Sequence, residues 1–173
     1  MKITYYVAAS IDGFIAKTDG SVDWLPQPEQ GVEDYGYTTF YQSVDALVMG
    51  RVTYEQVLSF GDWPYPDKPV LVLSGQSITA QQDNVMLYAS ISELADKIYQ
   101  FGYKHIWLVG GGKTASTFLQ AGLLDELIVT YIPVALGSGI SLFSEPAAET
   151  EMEIINSTDY PTGVVQITYG IKP

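Results

Sequence analysis

Five short apolar runs, "ITYYVAAS", "ALVMG", "KPVLVLS", "VMLYA" and "HIWLVGG", limit more than any other feature what this chain can fold into. Each is rich in β-branched or aromatic residues and bounded by turn signals, which is the pattern of a buried strand. Helical segments lie between them. "VEDYGYTTFYQSV" is a weak one, because Gly36 and its aromatic and β-branched residues disfavour a helix. "TYEQVLSF" is short, and "SISELADKIYQFG" is strong, with Ser90 or Ser92 as N-cap and Gly102 as C-cap. "KTASTFLQAG" follows three glycines and ends at Gly122. The chain then runs through "DELIVTYIPVAL" and the turn "GSGIS" into "TEMEIINSTDYPTGVVQITYGIK", whose alternation fits half-buried antiparallel strands. The expectation is one α/β domain over 1–173: a central, mostly parallel sheet flanked by helices, with an antiparallel C-terminal hairpin. Ligands of such sheets sit at the carboxyl ends of the strands.

A chain of 173 residues is long enough to bury roughly 70% of its unfolded surface. It contains no cysteine, which removes disulfides, thiolate metal sites and a cysteine nucleophile, and fits a reducing cytoplasm. The single histidine, His105, builds no cluster, and the acids are scattered, so no metal is expected. Eight basic residues against twenty acidic ones give a net charge of −12, which argues against nucleic acid and anionic membranes. "MKITYYVAAS" is too short an apolar run for a signal peptide or a membrane span, so the expected location is cytoplasmic.

Three strand ends carry groups suited to anions. "LVGGGKTAS" runs a strand through glycines into a helix, which reads either as a plain tight turn or as a loop whose backbone and helix N-terminus accept a pyrophosphate. A P-loop needs a glycine where Trp107 stands, and a dinucleotide fingerprint would require Ala115 as its last glycine and a place earlier in the chain. In "MGRVTYE", Gly50 ends a strand, Arg51, the only arginine, supplies a planar cation, and Thr53 adds a hydroxyl beside the first helical amides. "VLSGQS" places Ser74 and Gln76 after the next strand.

Taken in order, "AASIDGFIA", "DGSVDWL", "VMGRVTYE", "VLVLSGQS" and "LVGGGKTASTFLQAGLLDELIVTYIP" resemble the dihydrofolate reductase fold. "SIDGFIA" is closer to the reductase (C-terminal) domain of riboflavin deaminase-reductases, the RibD C-terminal domain, and its stand-alone bacterial relatives. The resemblance covers nearly the whole chain and implies NADPH as cofactor. Arg51, Ser74 and Gln76 would hold the adenosine 2′-phosphate. Thr53, Gly111, Gly112, Lys113 and Thr114 would lie along the pyrophosphate, Ala8 and Ile15 at the nicotinamide end, and Gly50 and Gly110 would also be cofactor-binding. For the substrate it implies an acid on the helix before "MGR". Counting back sixteen residues from Gly50 reaches Asp34, with Glu33 as its rival. Burial among Tyr35, Tyr37 and Phe40 would raise the Asp34 pKa and suit it to handling a proton. Thr130, Tyr37 and Trp24 complete that set.

Two departures bear on the substrate. Where folate's glutamate tail needs a cation the chain has only Lys68, and where the riboflavin type carries the glutamate of its "EGG" motif the chain has Gly110. The implied activity is NADPH-dependent reduction of a pterin-like or pyrimidine-like heterocycle, of the dihydrofolate or 5-amino-6-(5-phosphoribosylamino)uracil reductase type. The alternative is a nucleotide-binding homologue without turnover. Relatives on the riboflavin side pair as homodimers, and the tyrosine-rich C-terminal region reads either as such an interface or as core.

Overall fold

Alternate residues of the strand Ala46–Gly50 (β3) serve two different cores, which is why that run carries no polar side chain. Ala46 and Val48 pack with Leu94, Ile98 and Phe118, whereas Leu47 and Met49 pack with Tyr54, Val57 and Trp107. A strand covered on both faces must be apolar throughout. The computed structural model describes residues 1–26, 33–145 and 149–172.

Around β3 lie β1 (Lys2–Ser10), β4 (Val70–Leu73), β5 (Val85–Tyr88), β6 (His105–Gly110) and β7 (Glu126–Ile132), all parallel. An antiparallel pair, β9 (Met152–Asp159) and β10 (Val165–Ile171), extends the β7 side. The eight-stranded order is β5-β4-β3-β6-β1-β7-β10-β9. Helix α2 (Arg51–Ser59) leads from β3 to β4, and α3 (Ile91–Phe101) carries the chain from β5 back to β6, on the other side of β3. The order therefore reverses between β3 and β6, and α4 (Gly112–Gln120) leaves β6 from that point. The expected α/β architecture is present.

Capping chemistry fixes α3. Ser90 Oγ accepts from the Glu93 amide at 3.2 Å while Glu93 Oε2 accepts from the Ala89 amide at 3.2 Å, a reciprocal box. Gly102 closes the helix at φ 71°. The weak helix expected over residues 32–44 forms only as α1 (Tyr37–Ser43), because Tyr35 (φ 54°) and Gly36 (φ 81°) hold left-handed backbone just before it. Val32, at the start of that expectation, lies outside the described residues.

Two small strands, β2 (Phe14–Ala16) and β8 (Ile140–Ser141), pair with each other and escape the sequence reading, being too short to show a period. The C-terminal hairpin is less buried than its alternation suggests. β9 is the sheet edge, most of its residues are exposed, and Ile154 and Ile155 both face solvent. Among the described residues no helix is long and apolar enough to cross a membrane.

His105 sits at the start of β6, its Nε2 3.0 Å from Thr4 Oγ1 and its Nδ1 3.2 Å from Ser43 Oγ. Burial first, and then the Lys2 charge, hold its pKa below the ordinary histidine value. The unfolded chain thus binds this proton more readily than the folded one, and the contribution is fully present above about pH 6.5 and is lost as pH falls toward the folded value. We expect the urea midpoint to drop between pH 7.5 and 5.5, and the drop to shrink in His105→Gln. An equal drop in the variant would assign the effect to other groups.

Candidate functional site

Helices α2 and α4 begin directly on glycines, and this decides what lies at the strand ends. Gly50 is the N-cap of α2 and Gly111 that of α4, both in extended backbone and neither providing a side-chain cap. The first amides of a helix have no partner within it and carry the positive end of its dipole. Both ends open on one cleft of about 750 Å³, as does the Ser90–Ile91 start of α3. The two uncapped helix N-termini that border this cavity favour an anionic ligand locally, against the overall net charge of −12.

Eleven of the twelve cofactor candidates border this cleft: Ile15, Gly50, Arg51, Thr53, Ser74, Gln76, Gly110, Gly111, Gly112, Lys113 and Thr114. Ala8 does not. It pairs with Thr130 in the β1–β7 ladder, and its neighbour Val7 borders the cleft, the side-chain alternation of β1 having the opposite phase. The glycines have separate reasons. A Cβ on Gly50 would strike Thr114 Oγ1, and one on Gly112 would strike the Ser141 carbonyl. Gly110 has φ 140°, and the Gly110–Gly111 peptide is cis. At Gly111 a Cβ would stand 3.5 Å from Thr53 Oγ1 and 3.8 Å from Ile15 Cδ1, in ordinary contact.

Arg51 Nη1 donates to both oxygens of Glu55, at 2.8 and 2.7 Å. The Ser74 hydroxyl donates to the Gln76 carbonyl at 2.7 Å and accepts from the Gln76 amide at 3.2 Å, so it shapes a turn at the cleft wall and must rotate to donate to a ligand. Sequence reasoning missed Gln56, one helical turn beyond Thr53, where a spacing of three residues puts both on one face. Gln56 Nε2 donates to the Gly20 carbonyl at 2.5 Å and ties the loop before Val22 to α2. It also missed Asp12, inside "SIDG". That carboxylate accepts from Ser10 Oγ (2.6 Å), the Gly137 amide (2.7 Å) and the Leu136 amide (3.1 Å), joining the loops after β1 and β7. The Ser10 hydroxyl is the main cause holding its pKa low.

The substrate candidates are placed differently. Trp24, Glu33, Asp34, Tyr37 and Thr130 do not border the cleft. Asp34 is exposed; its Oδ1 accepts from the Gly36 amide at 2.9 Å and its Oδ2 from the Thr38 amide at 3.0 Å. Its pKa is lowered, by the Thr38 hydroxyl first and then by these amides, which overturns the expected rise: the surrounding aromatics do not bury it. Glu33 is also exposed and accepts from the Tyr35 amide at 3.2 Å.

Thr130 is buried, and its Oγ1 accepts from Gln166 Nε2 at 2.8 Å. The same Gln166 nitrogen donates to the Tyr35 carbonyl at 2.9 Å, which also accepts from the Tyr6 hydroxyl at 3.2 Å. Tyr37 packs edge-on against Trp107, and burial pushes its hydroxyl up to about 12. Trp24 Nε1 is buried without a hydrogen-bond partner among the described residues. No group of three or more His, Asp or Glu suited to a metal ion occurs among them.

The sequence model of the RibD C-terminal domain matches residues 1–166. The Bacillus subtilis (strain 168) protein YwjB is 38% identical over 165 residues, covering 94% of each chain. A crystal structure of a putative riboflavin biosynthesis protein from Shewanella sp. PV-4 superposes with a TM-score of 0.89 at 35% identity, over 100% of both chains. Enterococcus faecalis dihydrofolate reductase, solved with NADP(H) and RAB-propyl, has a TM-score of 0.69 at 19% identity over 99% of this chain and 97% of its own, a likeness of fold.

The glycines give a stability test. Gly112→Ala must displace the Ser141 carbonyl and crowd Ser144 Oγ, 2.9 Å away, at a cost of about 1–3 kcal/mol, while Gly111→Ala should lose clearly less. Urea denaturation of the two variants measures the difference; equal losses would contradict the tight packing of α4 on the loop at 141–144.

Proposed function

Because the chain belongs to the RibD C-terminal domain family, we propose that it is an NADPH-dependent reductase of a small, uncharged heterocycle. The observation that carries this reading is the convergence of the uncapped α2 and α4 N-termini, Arg51 and Lys113 on one cleft. The donors suit a dinucleotide phosphate: backbone amides for the pyrophosphate, and a guanidinium for the 2′-phosphate. When bound, NADPH supplies the hydride. Gly111, flanked by Thr53 and Ile15, lets the backbone approach the cofactor, and Val7 and Ile15 offer apolar contact at the nicotinamide end. The Gln56–Gly20 bond ties the loop before Val22 to α2 at the edge of the cleft.

Charge supports the choice of an uncharged substrate. Once Arg51 and Lys113 serve the cofactor, Lys17 is held by Asp23 at 2.8 Å, and Lys68 donates to the Val44 carbonyl at 2.8 Å, at the opposite ends of the strands. Lys2 and Lys172 are paired with Glu126 and Glu151, Lys97 donates to Gln100, and Lys104 precedes β6 at the far end of the strands, so a glutamate tail or a ribose phosphate has no cation set aside for it. Asp34, ionised at neutral pH, accepts hydrogen bonds rather than donating the proton, so its part in this reading is to hold an N–H group of the heterocycle while water delivers the proton. The second reading, nucleotide binding without turnover, is favoured by the position of Glu33, Asp34 and Thr130 outside the cleft.

NADPH should raise the melting temperature more than NADH does, and Arg51→Ala should remove most of the difference, about 1.5–3 kcal/mol for a charge-assisted contact. Equal shifts with both cofactors would sink the assignment. NADPH oxidation with a panel of uncharged pterins and pyrimidines separates the two readings, since steady oxidation requires turnover. With an active substrate, Asp34→Asn should raise KM with little change in kcat. A fall in kcat of ~10²-fold or more would restore Asp34 as the proton donor.

A further inference from the structure

We propose that Glu55 sets how tightly the cleft holds a phosphomonoester dianion, by competing with it for Arg51; this rests on the cofactor reading above. The chain has one arginine, and that arginine is already engaged. Both Glu55 oxygens converge on Nη1 alone, at 2.8 and 2.7 Å, one helical turn along α2. Arg51 borders the cleft and Glu55 does not, so the carboxylate draws the guanidinium from the flank. With Glu55 on Nη1, the edge formed by Nε and Nη2 is still available to a second anion in side-on, two-bond geometry.

An anion docking there meets an arginine whose charge is half answered and a carboxylate close behind it. Two effects of Glu55 then oppose each other. It pre-orients the guanidinium, which for a partly exposed pair four residues apart on a helix is a small gain. It also repels the incoming charge, and that repulsion doubles for a dianion and acts across a surface of intermediate dielectric. The repulsion is the larger effect, so Glu55 weakens the grip on the phosphate.

The other cation of the cleft lacks such a rival. Lys113 stands in the first turn of α4, which has no acid there, and among the described residues it takes part in no ion pair. The penalty from Glu55 therefore falls on the phosphate at Arg51 and leaves the pyrophosphate end largely untouched. Glu55 also has a kinetic effect. Because the carboxylate stays on Nη1 while the phosphate occupies the Nε and Nη2 edge, its repulsion also speeds release of the dinucleotide, which favours exchange of used cofactor for fresh.

Dissociation constants and release rates for NADPH and NADH, measured by fluorescence and stopped flow at low ionic strength in the wild type and in the isosteric Glu55→Gln, test this. The ratio of NADPH to NADH affinity should rise about tenfold in Glu55→Gln, with slower NADPH release, and high salt should erode the gain. A ratio that stays level or falls would overturn the proposal and make Glu55 an orienting partner of Arg51. A wild type that binds neither dinucleotide would instead defeat the cofactor reading, and this proposal with it.

Discussion

The cleft depends on the close packing of two helix starts against each other. Gly50 has no room for a Cβ because Thr114 of α4 stands in its place, and Gly112 has none because the Ser141 carbonyl does. Glycine is thus required where the starts of α2 and α4 approach each other and the neighbouring loop, at the point where the sheet order reverses. A glycine cap carries no oxygen to accept from the first helical amides. The packing that closes the fold at this point therefore leaves the same amides to be satisfied from the cleft.

Charge acts on a longer scale. A chain of net charge −12 repels anions in general, and its surface acids do nothing to attract a phosphate. Attraction has to be local, and it is supplied by helix dipoles, Lys113 and the one arginine. The same scarcity bears on the substrate face, where the remaining lysines are paired or distant. Family membership sets the reductase-type fold, and in the proposed function this distribution of cations would narrow the substrate to an uncharged heterocycle.

The parallel core was legible because each strand is buried on both faces and so reads as an unbroken apolar run, as in "ALVMG" and "HIWLVGG". The residues that border the cleft were legible for a related reason: glycines and phosphate-suited side chains follow those runs directly, and the strand ends lie side by side in space. Val7 rather than Ala8 borders the cleft, a phase that the sequence does not show because "YYVAA" places apolar residues on both faces of β1. The expected burial of Asp34 fails because the two residues that follow it, Tyr35 and Gly36, adopt left-handed backbone, and the carboxylate turns to the amides of Gly36 and Thr38 instead of into a pocket. Gln166, which fastens Thr130 to Tyr35, comes from a distant strand, and no local pattern announces it.

In the proposed reading, unpaired amides at two helix starts receive the phosphates of a dinucleotide. The most direct test is a titration of isotope-labelled protein with NADPH, followed through backbone amide resonances. The largest shifts are expected at 51–53 and 112–114, with smaller ones at 90–91 and little change in the β9–β10 hairpin. No shift at either glycine-capped helix start, or shifts confined to residues remote from the cleft such as Gln42 and Tyr103, would contradict it.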